Sequence, residues 1–511
     1  MLQEKRALSG LSRSVDMPVF VLSAGFMAIF VIAALIDLDS LAQWVRSGAH
    51  VASATFGGFW QLLMLATFGV ALGIALSGAG HLRLGGTEHE LSTFKWVAVI
   101  MCTLLAGGGV FWAAAEPIAH FLNMPPHFDE VPRSSEAASA ALAQSFMHWG
   151  FLAWSILGSL SAITLMHLHY HKGLPLKPRT LLYPVFGERI LTGLPGGLVD
   201  AFCIVAVIAG TVGPIGFLGL QLSYSLAELF GWADSLSLRL TIIGCLMGVY
   251  TVSAITGVTR GIQWLSTINV VLGLLLMAYV VGFGPTVFIT DQYVQSIGVY
   301  LTDFVGMATF RADSAWLESW TIFFWGWFIG YGPMMAIFIA RISKGRTIRE
   351  LILLLSVGAP IVTTVWFTII GGAGIGFEIE NPGSISVAFE GFNLPGALLA
   401  ITQQLPNGFV VSLLFLVLTT VFVATTGDSM TYSIAMAMTG HEHPSTALRV
   451  FWGLMMGIVA MILVTIGAGG ISALQSFIVI TGVPVSILLL TSLWVAPKMV
   501  QEMRAQAARA R

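Results

Sequence analysis

The sequence predicts an all-α polytopic membrane protein with about twelve transmembrane helices. Of its 511 residues, 56% are hydrophobic and only 9% are charged, and the mean hydropathy is +0.87. A soluble domain usually carries roughly 25% charged residues. Apolar runs of about 20 residues, the length of one membrane span, recur along the whole chain. The formal net charge of −2 does not favour nucleic acid as a partner.

Twelve apolar segments have the length and composition of membrane-spanning helices. Two more segments, near 292–311 and 384–404, are amphipathic and too polar or too short to span, so we predict interfacial helices on the outer side. The predicted spans are 17–36, 54–77, 95–120, 138–166, 197–227, 237–258, 262–288, 316–342, 347–375, 407–434, 446–467 and 471–496.

The distribution of Lys and Arg predicts which side each loop occupies. With the N-terminus inside, only Arg46, Arg133, Arg239 and Arg311 of the 23 basic residues fall in outer segments. Cytoplasmic loops are enriched in basic residues, so this asymmetry predicts a protein of the cell inner membrane with both termini cytoplasmic. Residues 1–16 then form a cytoplasmic N-terminus, and residues 497–511 form a short cytoplasmic tail.

Two of the predicted spans contain clustered helix-breaking residues at corresponding positions. Span three has Gly107–Gly109, and span eight has Gly326, Gly330, Gly332 and Pro333. The two spans are five apart and run in opposite directions, which predicts inverted five-helix halves over 95–290 and 316–496. Two accessory helices over 17–94 precede them, and an outer interfacial helix over 291–315 separates them. Paired interrupted helices of this kind indicate a transporter binding site.

Aromatic residues crowd the middle of span eight. Trp327 and Tyr331 lie 11 and 15 residues beyond Trp316, which places them near the bilayer centre at about 1.5 Å per residue. Trp149 and Trp154 reach a similar depth on span four. With Gly and Pro nearby, we predict a helix unwound or bent at mid-depth and a cavity walled by aromatic rings. Such walls attract quaternary ammonium ions; the alternative is ordinary packing of helices against lipid.

Polar residues within the spans offer further candidates. On span ten, Thr425 and Thr426 suit a sodium ion if backbone carbonyls supply the other ligands, or each bonds to a carbonyl of its own helix. Asp428 beside them is either functional or a structural acceptor. Glu116 either lines the entrance near the outer end of span three or reaches interfacial water, and Asp200 is predicted to cap span five.

Several segments together resemble the betaine/choline/carnitine transporter (BCCT) family. The strongest resemblance is FFWGWFIGYGP followed by IARISKGRTIRE, over 323–333 and 339–350. It extends through VFWAAAEP, MHW, TVWFTIIGGAGI and TTGDS, and so covers nearly the whole chain. The resemblance implies a LeuT-type fold, a homotrimer, and import of substrates that carry a trimethylammonium or related onium group.

The resemblance also assigns roles to individual positions. It implies an aromatic substrate-binding box of Trp149, Trp154, Trp327, Phe328 and Tyr331. It implies that three residues flank or gate the substrate path: Phe111, Trp320 and Phe323. It implies a sodium site built from the Phe422 carbonyl, the Thr425 and Thr426 hydroxyls, and carbonyls near Cys102 and Leu105. Phe328 and Tyr331 stand where the family's best-known form has Trp.

The predicted function is therefore secondary active transport, with sodium as the coupling ion and no other cofactor. Candidate substrates are glycine betaine, choline, carnitine and dimethylsulfoniopropionate. A sodium-independent exchanger of the same fold is the first alternative, although Thr425 and Thr426 argue against it. A channel would need rings of repeated polar groups, which the sequence does not supply. Enzymatic motifs such as HExxH, G-x-S-x-G and the Walker sequence are not found, so we predict no enzymatic activity.

Overall fold

The computed structural model describes residues 15–86, 88–105, 108–256, 259–440, 444–466 and 471–509, without the side chains of 102–105 and 259–266. Over these ranges the chain is helical, and an isolated bridge between Arg83 and Thr347 is the β pairing present. The all-α prediction is confirmed. The α-helices are α1 Met17–Ile36, α2 Leu38–Leu76, α3 Thr93–Leu105, α4 Gly109–Leu122, α5 Ser135–Trp149, α6 Phe151–Ile156, α7 Ser159–Lys172, α8 Gly193–Phe230, α9 Leu236–Thr256, α10 Thr259–Phe283, α11 Thr286–Thr302, α12 Phe304–Thr309, α13 Ser314–Ser319, α14 Thr321–Ile342, α15 Ile348–Leu353, α16 Ala359–Phe367, α17 Ala373–Glu380, α18 Ala397–Gln403, α19 Gly408–Thr439, α20 Thr446–Thr465, α21 Ile471–Leu490 and α22 Ser492–Arg509.

Shorter helical pieces complete the described chain. Residues 178–190 form three short turns between α7 and α8. Two π-helical segments, Leu354–Gly358 and Thr368–Gly372, join α15, α16 and α17 into one bent span. A 3₁₀ turn, Leu394–Gly396, precedes α18.

Within the described residues, ten helices are long and apolar enough to cross a membrane, or up to eleven if each bent pair is one span. The bent pair joins the end of α10 to α11 at an angle of 108°. The third predicted span corresponds to α3 and α4, and residues 106 and 107 between them lie outside the described chain. A multi-pass membrane protein is confirmed, and the count of twelve stays a prediction.

The second span is longer than its hydropathy predicted. Helix α2 covers 39 residues, whereas the predicted span began at residue 54. Asp37 caps its start by accepting a hydrogen bond from the Ser40 backbone N–H at 3.0 Å. Polar residues such as Arg46 in its first turns lower the local hydropathy without ending the helix. At about 1.5 Å per residue, α2 extends well beyond a hydrocarbon layer roughly 30 Å thick.

Span eight was predicted to be unwound or bent at mid-depth. The unwinding is wrong, and the bend stays a prediction. Helix α14 runs without interruption through its glycines and Pro333, and the break lies at Trp320, between α13 and α14. The glycines serve close packing instead. A Cβ on Gly326 would lie 3.0 Å from Trp60 Cζ3, and one on Gly332 would lie 3.1 Å from the Ile156 carbonyl oxygen. Small residues let neighbouring helices approach in this way, and Pro333 removes only one backbone hydrogen bond.

Span four is broken twice, which the sequence analysis did not predict. Helices α5, α6 and α7 are separated at Gly150 and near Gly158. Gly158 has φ +155°, and a Cβ there would lie 2.7 Å from Ile339 Cδ1. The backbone conformation therefore favours glycine, and a larger residue would also displace the end of the Ile339 side chain. The breaks place Trp149 at the last residue of α5 and Trp154 within α6.

The predicted capping role of Asp200 is also wrong. Asp200 is buried inside α8 and accepts hydrogen bonds from the backbone N–H and Nε of Arg179, both at 2.7 Å. Arg179 also donates to Asp16 at 2.8 Å, and Lys177 donates to the same Asp16 oxygen at 2.9 Å. Because a buried carboxylate requires a partner, these contacts fix α8 to the segment before it and to the residue that precedes α1.

Candidate functional site

Three of the five predicted box residues form a compact group of rings. Trp149 meets Trp327 and Phe328 edge-to-face, with ring centroids 5.9 Å and 5.4 Å apart. The ring planes of Trp327 and Phe328 are nearly parallel, with an interplanar angle of 5°. All three are buried. Helices α5 and α14 therefore place these rings together, as the family resemblance implied.

The other two box residues join the group less directly. Among the described residues, Trp154 and Tyr331 make no ring-to-ring contact with Trp149, Trp327 or Phe328. Tyr331 and Trp327 both lie against Gly210 of α8. A Cβ at that glycine would lie 2.3 Å from Tyr331 Cε2 and 3.2 Å from Trp327 Cδ1. Trp154 lies on α6 and contacts the span-nine helix α16.

The polar atoms of these side chains all have protein partners. Trp149 Nε1 donates to Glu116 at 2.8 Å, and Trp154 Nε1 donates to Thr363 Oγ1 at 2.9 Å. Trp327 Nε1 donates to the Gly210 carbonyl at 3.0 Å, and the Tyr331 hydroxyl lies 2.6 Å from Thr211 Oγ1. The indole N–H groups are thus fully engaged. What these tryptophans can offer a ligand is the faces of their rings.

The bond from Trp327 depends on a proline one turn further along α8. In a regular helix, the Gly210 carbonyl would accept from the N–H of residue 214. Residue 214 is Pro214, which has no N–H. The carbonyl that Pro214 leaves free is the one to which Trp327 donates. Gly210 and Pro214 together position the Trp327 ring.

Aromatic residues that were not predicted as site residues complete the group. Phe324 meets Trp149 at 5.5 Å, Trp327 at 6.4 Å and Phe328 at 6.3 Å between ring centroids. Phe367 of α16 meets Trp149 at 5.3 Å. Phe324 precedes Phe328 by one helical turn, a spacing that places both on one face of α14 and could have identified it.

The predicted path residues pack around Trp112, which the sequence analysis also missed. The Trp112 ring lies 5.1 Å from Phe111, 5.9 Å from Trp320 and 5.7 Å from Phe323. Phe323 in turn meets Trp327 at 5.6 Å. A continuous series of rings therefore leads from the break at Trp320 to the box. The gating role of Phe111, Trp320 and Phe323 stays a prediction.

Glu116 is not at a water interface. It is fully buried, and its second oxygen, Oε1, lies 2.6 Å from His148 Nδ1 and 3.3 Å from His120 Nε2. His148 Nε2 lies 2.9 Å from Thr321 Oγ1. A polar cluster therefore adjoins the box through Trp149. The sequence alone did not reveal this cluster, since Glu116 and His148 are 32 residues apart.

The predicted sodium residues on α19 lie on an unbroken helix. Thr425 Oγ1 donates to the Phe422 carbonyl at 2.8 Å, which is the bond within the helix that the alternative interpretation described. Thr426 Oγ1 is buried and has no hydrogen-bond partner among the described residues. An unsatisfied buried hydroxyl costs about 1–3 kcal/mol, so this oxygen is suited to an additional ligand.

The remaining predicted sodium residues belong to span three. Helix α3 packs against α19, the helix that carries the two threonines. Cys102 and Leu105 lie in the last turn of α3, and their contacts lie outside the described part of the structure. Asp428 is buried and accepts from Arg449 Nη2 at 2.8 Å, which favours the structural role considered for it.

Comparisons with known proteins bear on what this site does. The family model described as "BCCT, betaine/carnitine/choline family transporter" matches residues 18–505. The Glycine betaine transporter 2 of Vibrio parahaemolyticus is 57% identical over 487 residues, which are 95% of this chain and 90% of that protein. The Ectoine/hydroxyectoine transporter of Virgibacillus pantothenticus is 30% identical over 480 residues, 93% of this chain and 94% of that protein. A solved structure of MhsT with L-phenylalanine matches with 14% identity and a TM-score of 0.49, covering 83% of this chain and all of that one.

Proposed function

Because the chain belongs to the betaine/carnitine/choline transporter family, we propose that it is a sodium symporter for glycine betaine or a closely related onium zwitterion. The family consists of transporters, so the chain is not an enzyme. We place it in the cell inner membrane as a homotrimer with both termini cytoplasmic, in line with the family resemblance and the basic loops.

The observation that carries the proposal is the direction of the hydrogen-bond donors in the box. Every indole N–H of Trp149, Trp154 and Trp327 donates away to another part of the protein. A primary ammonium ion needs acceptors to replace its hydrogen bonds to water, and ring faces replace them poorly. A quaternary ammonium or a sulfonium has no N–H groups and therefore no such hydrogen bonds to lose. Ring faces attract it with roughly 0.5–2 kcal/mol each.

The carboxylate of a zwitterion requires a different partner. The Tyr331 hydroxyl and an unwound α14 were the predicted donors, but Tyr331 bonds to Thr211 and α14 is continuous. We assign the carboxylate instead to the start of α4. Its first turn has backbone N–H groups without acceptors in their own helix, and these favour anions. A Cβ on Gly108, which immediately precedes α4, would lie 2.5 Å from Trp327 Cη2, so this helix end adjoins the box.

A graded methylation series tests the proposal. We expect glycine, sarcosine, dimethylglycine and glycine betaine to compete for uptake with progressively increasing affinity, because each methyl group removes an N–H that the box cannot satisfy. Competition should be measured in proteoliposomes containing the purified protein, with labelled glycine betaine as the transported substrate. We expect dimethylsulfoniopropionate to compete as well, since its sulfonium is also methylated and weakly hydrated.

The same series discriminates among the alternatives. Choline has the methylated head without a carboxylate, so weaker competition by choline than by glycine betaine supports the anion site at α4. Equal competition by glycine and glycine betaine would show that the aromatic residues are packing elements. Uptake that proceeds equally with potassium in place of sodium would identify the exchanger.

A further inference from the structure

Glu116, His120 and His148 bring three metal-binding atoms together inside the protein. Glu116 and His120 are four residues apart on α4 and therefore share one face, and His148 faces them from α5. One carboxylate oxygen and one nitrogen from each histidine lie within 4.8 Å of one another. All three side chains are buried. The cluster adjoins the aromatic group through the bond from Trp149 to Glu116 and through the ring of Phe324, whose centroid lies 4.9 Å from that of His148.

The charges of this cluster are not balanced by a basic residue. Glu116 forms no ion pair with Lys or Arg among the described residues, and the groups that contact its oxygens are two imidazoles and an indole. An ionised carboxylate in a low-dielectric interior is costly unless a positive charge accompanies it. A bound cation would supply that charge.

The surrounding contacts match those of protein metal sites. A histidine ligand usually donates its second N–H to a neighbouring group, which orients the ring. His148 Nε2 lies 2.9 Å from the Thr321 hydroxyl. Gln144 Nε2, 3.1 Å from the same ring nitrogen, is itself a donor, so a proton on His148 Nε2 requires the Gln144 amide in its flipped orientation, with the oxygen toward the ring. A hydroxyl can either donate or accept, so it permits the tautomer in which His148 Nδ1 carries the free lone pair. The Trp149 indole N–H donates to Glu116 Oε2, so Oε1 is the carboxylate oxygen that remains to coordinate a metal ion.

We propose that Glu116 Oε1, His120 Nε2 and His148 Nδ1 form a binding site for a divalent transition metal, with zinc as the principal ion. Two histidines and one carboxylate are a common zinc ligand set, and water or an anion supplies the fourth ligand. Hard ions such as Mg²⁺ and Ca²⁺ prefer sites made only of oxygen, so they are excluded by the two imidazoles.

Two tryptophan rings lie against the site. The rings of Trp316 and Trp320 cover it, with centroids 5.9 Å and 4.5 Å from that of His120. Trp316 is only partly buried and Trp320 stands at the break between α13 and α14. Movement at this break would expose the cluster from the side that the basic loops assign to the exterior.

Metal binding would join helices that surround the substrate path. The ligands connect α4 to α5, and Thr321 connects the cluster to the first residue of α14. These helices carry Phe111, Trp149 and Trp327. If α4 moves relative to α5 during the transport cycle of the proposed function, an ion that holds these two helices together should inhibit uptake. This consequence rests on the proposed function, whereas the binding site itself does not.

Binding is tested directly on the purified full-length protein, without a transport assay. We expect one zinc ion per chain by equilibrium dialysis in a chelator-treated sample, and visible absorption bands of tetrahedral Co²⁺ when cobalt replaces zinc. His120→Gln and His148→Gln should each weaken zinc binding by more than about 100-fold. Thr321→Val removes only an outer contact and should weaken it roughly tenfold, the usual effect of such a change.

His127 provides the matched control. It also contacts a carboxylate, that of Asp303, but no third ligand accompanies that pair among the described residues. His127→Gln should bind zinc and cobalt as the parent protein does. Thermal unfolding of each variant without metal separates loss of the site from loss of the fold, because zinc should raise the unfolding temperature only where the site is intact.

The proposal is overturned if the parent protein binds no zinc at micromolar concentrations, or if folded His120→Gln and His148→Gln bind zinc as tightly as the parent. Octahedral cobalt spectra would also contradict it. Zinc binding without inhibition of uptake would retain the site and refute its link to transport. Failure of glycine betaine uptake would refute the proposed function and leave the binding result unchanged.

Discussion

Replacing Trp327 by alanine is expected to abolish measurable binding of the onium substrate. The ring contributes up to about 2 kcal/mol as a desolvated cation–π partner, which alone corresponds to a roughly 30-fold loss of affinity. It also packs against Phe323, Phe324, Phe328 and Trp149, so its removal opens space between the remaining rings. Binding of glycine betaine should be measured by calorimetry or by quenching of tryptophan fluorescence.

Trp327→Phe separates the ring face from the indole N–H. It retains an aromatic face and should weaken binding only moderately. It also leaves the Gly210 carbonyl without a donor, which should lower the free energy of unfolding by roughly 1–3 kcal/mol. Adding Pro214→Ala restores a backbone N–H one turn away from Gly210. The double variant should therefore recover stability but not affinity.

A control for general effects of tryptophan loss is Trp232, which is 55% exposed. Trp232→Ala should bind and transport as the parent protein does. If Trp327→Ala binds glycine betaine normally while remaining folded, the box assignment is wrong. If the double variant stays as unstable as Trp327→Phe, the bond between Trp327 and Gly210 does not carry the stability assigned to it.

Hydropathy and charge were sufficient to predict most of the helices. The first span was predicted as 17–36 and observed as Met17–Ile36, and the tenth was predicted as 407–434 and observed as Gly408–Thr439. These segments are bounded by polar or turn-forming residues, such as Asn407 with φ +53°. A span of about 20 apolar residues is a local property, so a single sequence reveals it.

The interruptions of the helices were less predictable, because a glycine has two different uses. In α14 the glycines allow close contact between helices, and the helix continues. At Gly150 and near Gly158 the chain departs from the helix instead. Which use applies depends on the neighbouring helices. That information is not contained in the local sequence.

The site residues also divide into those that local sequence motifs identified and those that only the packing of helices brings together. The resemblance named Trp149, Trp327 and Phe328 because it covered their motifs directly, and their rings lie together in the structure. Their role in substrate binding stays a prediction. The contact between Glu116 and Trp149 depends on how α4 meets α5, and no local pattern specified it. Glu116 was predicted to line the entrance or to reach interfacial water, and its burial beside His148 was not predicted. Only the fold shows that they share a hydrogen bond.

Replacing Thr426 by valine is expected to reduce the affinity for sodium while leaving substrate binding intact at saturating sodium. An oxygen that contacts a charged group contributes about 1.5–3 kcal/mol, so the sodium concentration for half-maximal uptake should rise at least tenfold. The Thr426 hydroxyl has no partner among the described residues, so its removal should not destabilise the sodium-free protein. Thermal unfolding with and without sodium should show that the stabilisation by sodium is reduced.

Thr420 on the same helix provides the matched control, because its hydroxyl donates to the Leu416 carbonyl at 2.7 Å. Thr420→Val should retain the sodium dependence of the parent protein. Thr426→Ser retains the hydroxyl and should remain close to the parent in sodium affinity. The pattern distinguishes a sodium ligand from a packing residue: if the γ-methyl group of Thr426 is what matters, valine will behave as the parent does and serine will not. That outcome, or a lower unfolding temperature of Thr426→Val in the absence of sodium, would remove Thr426 from the sodium site.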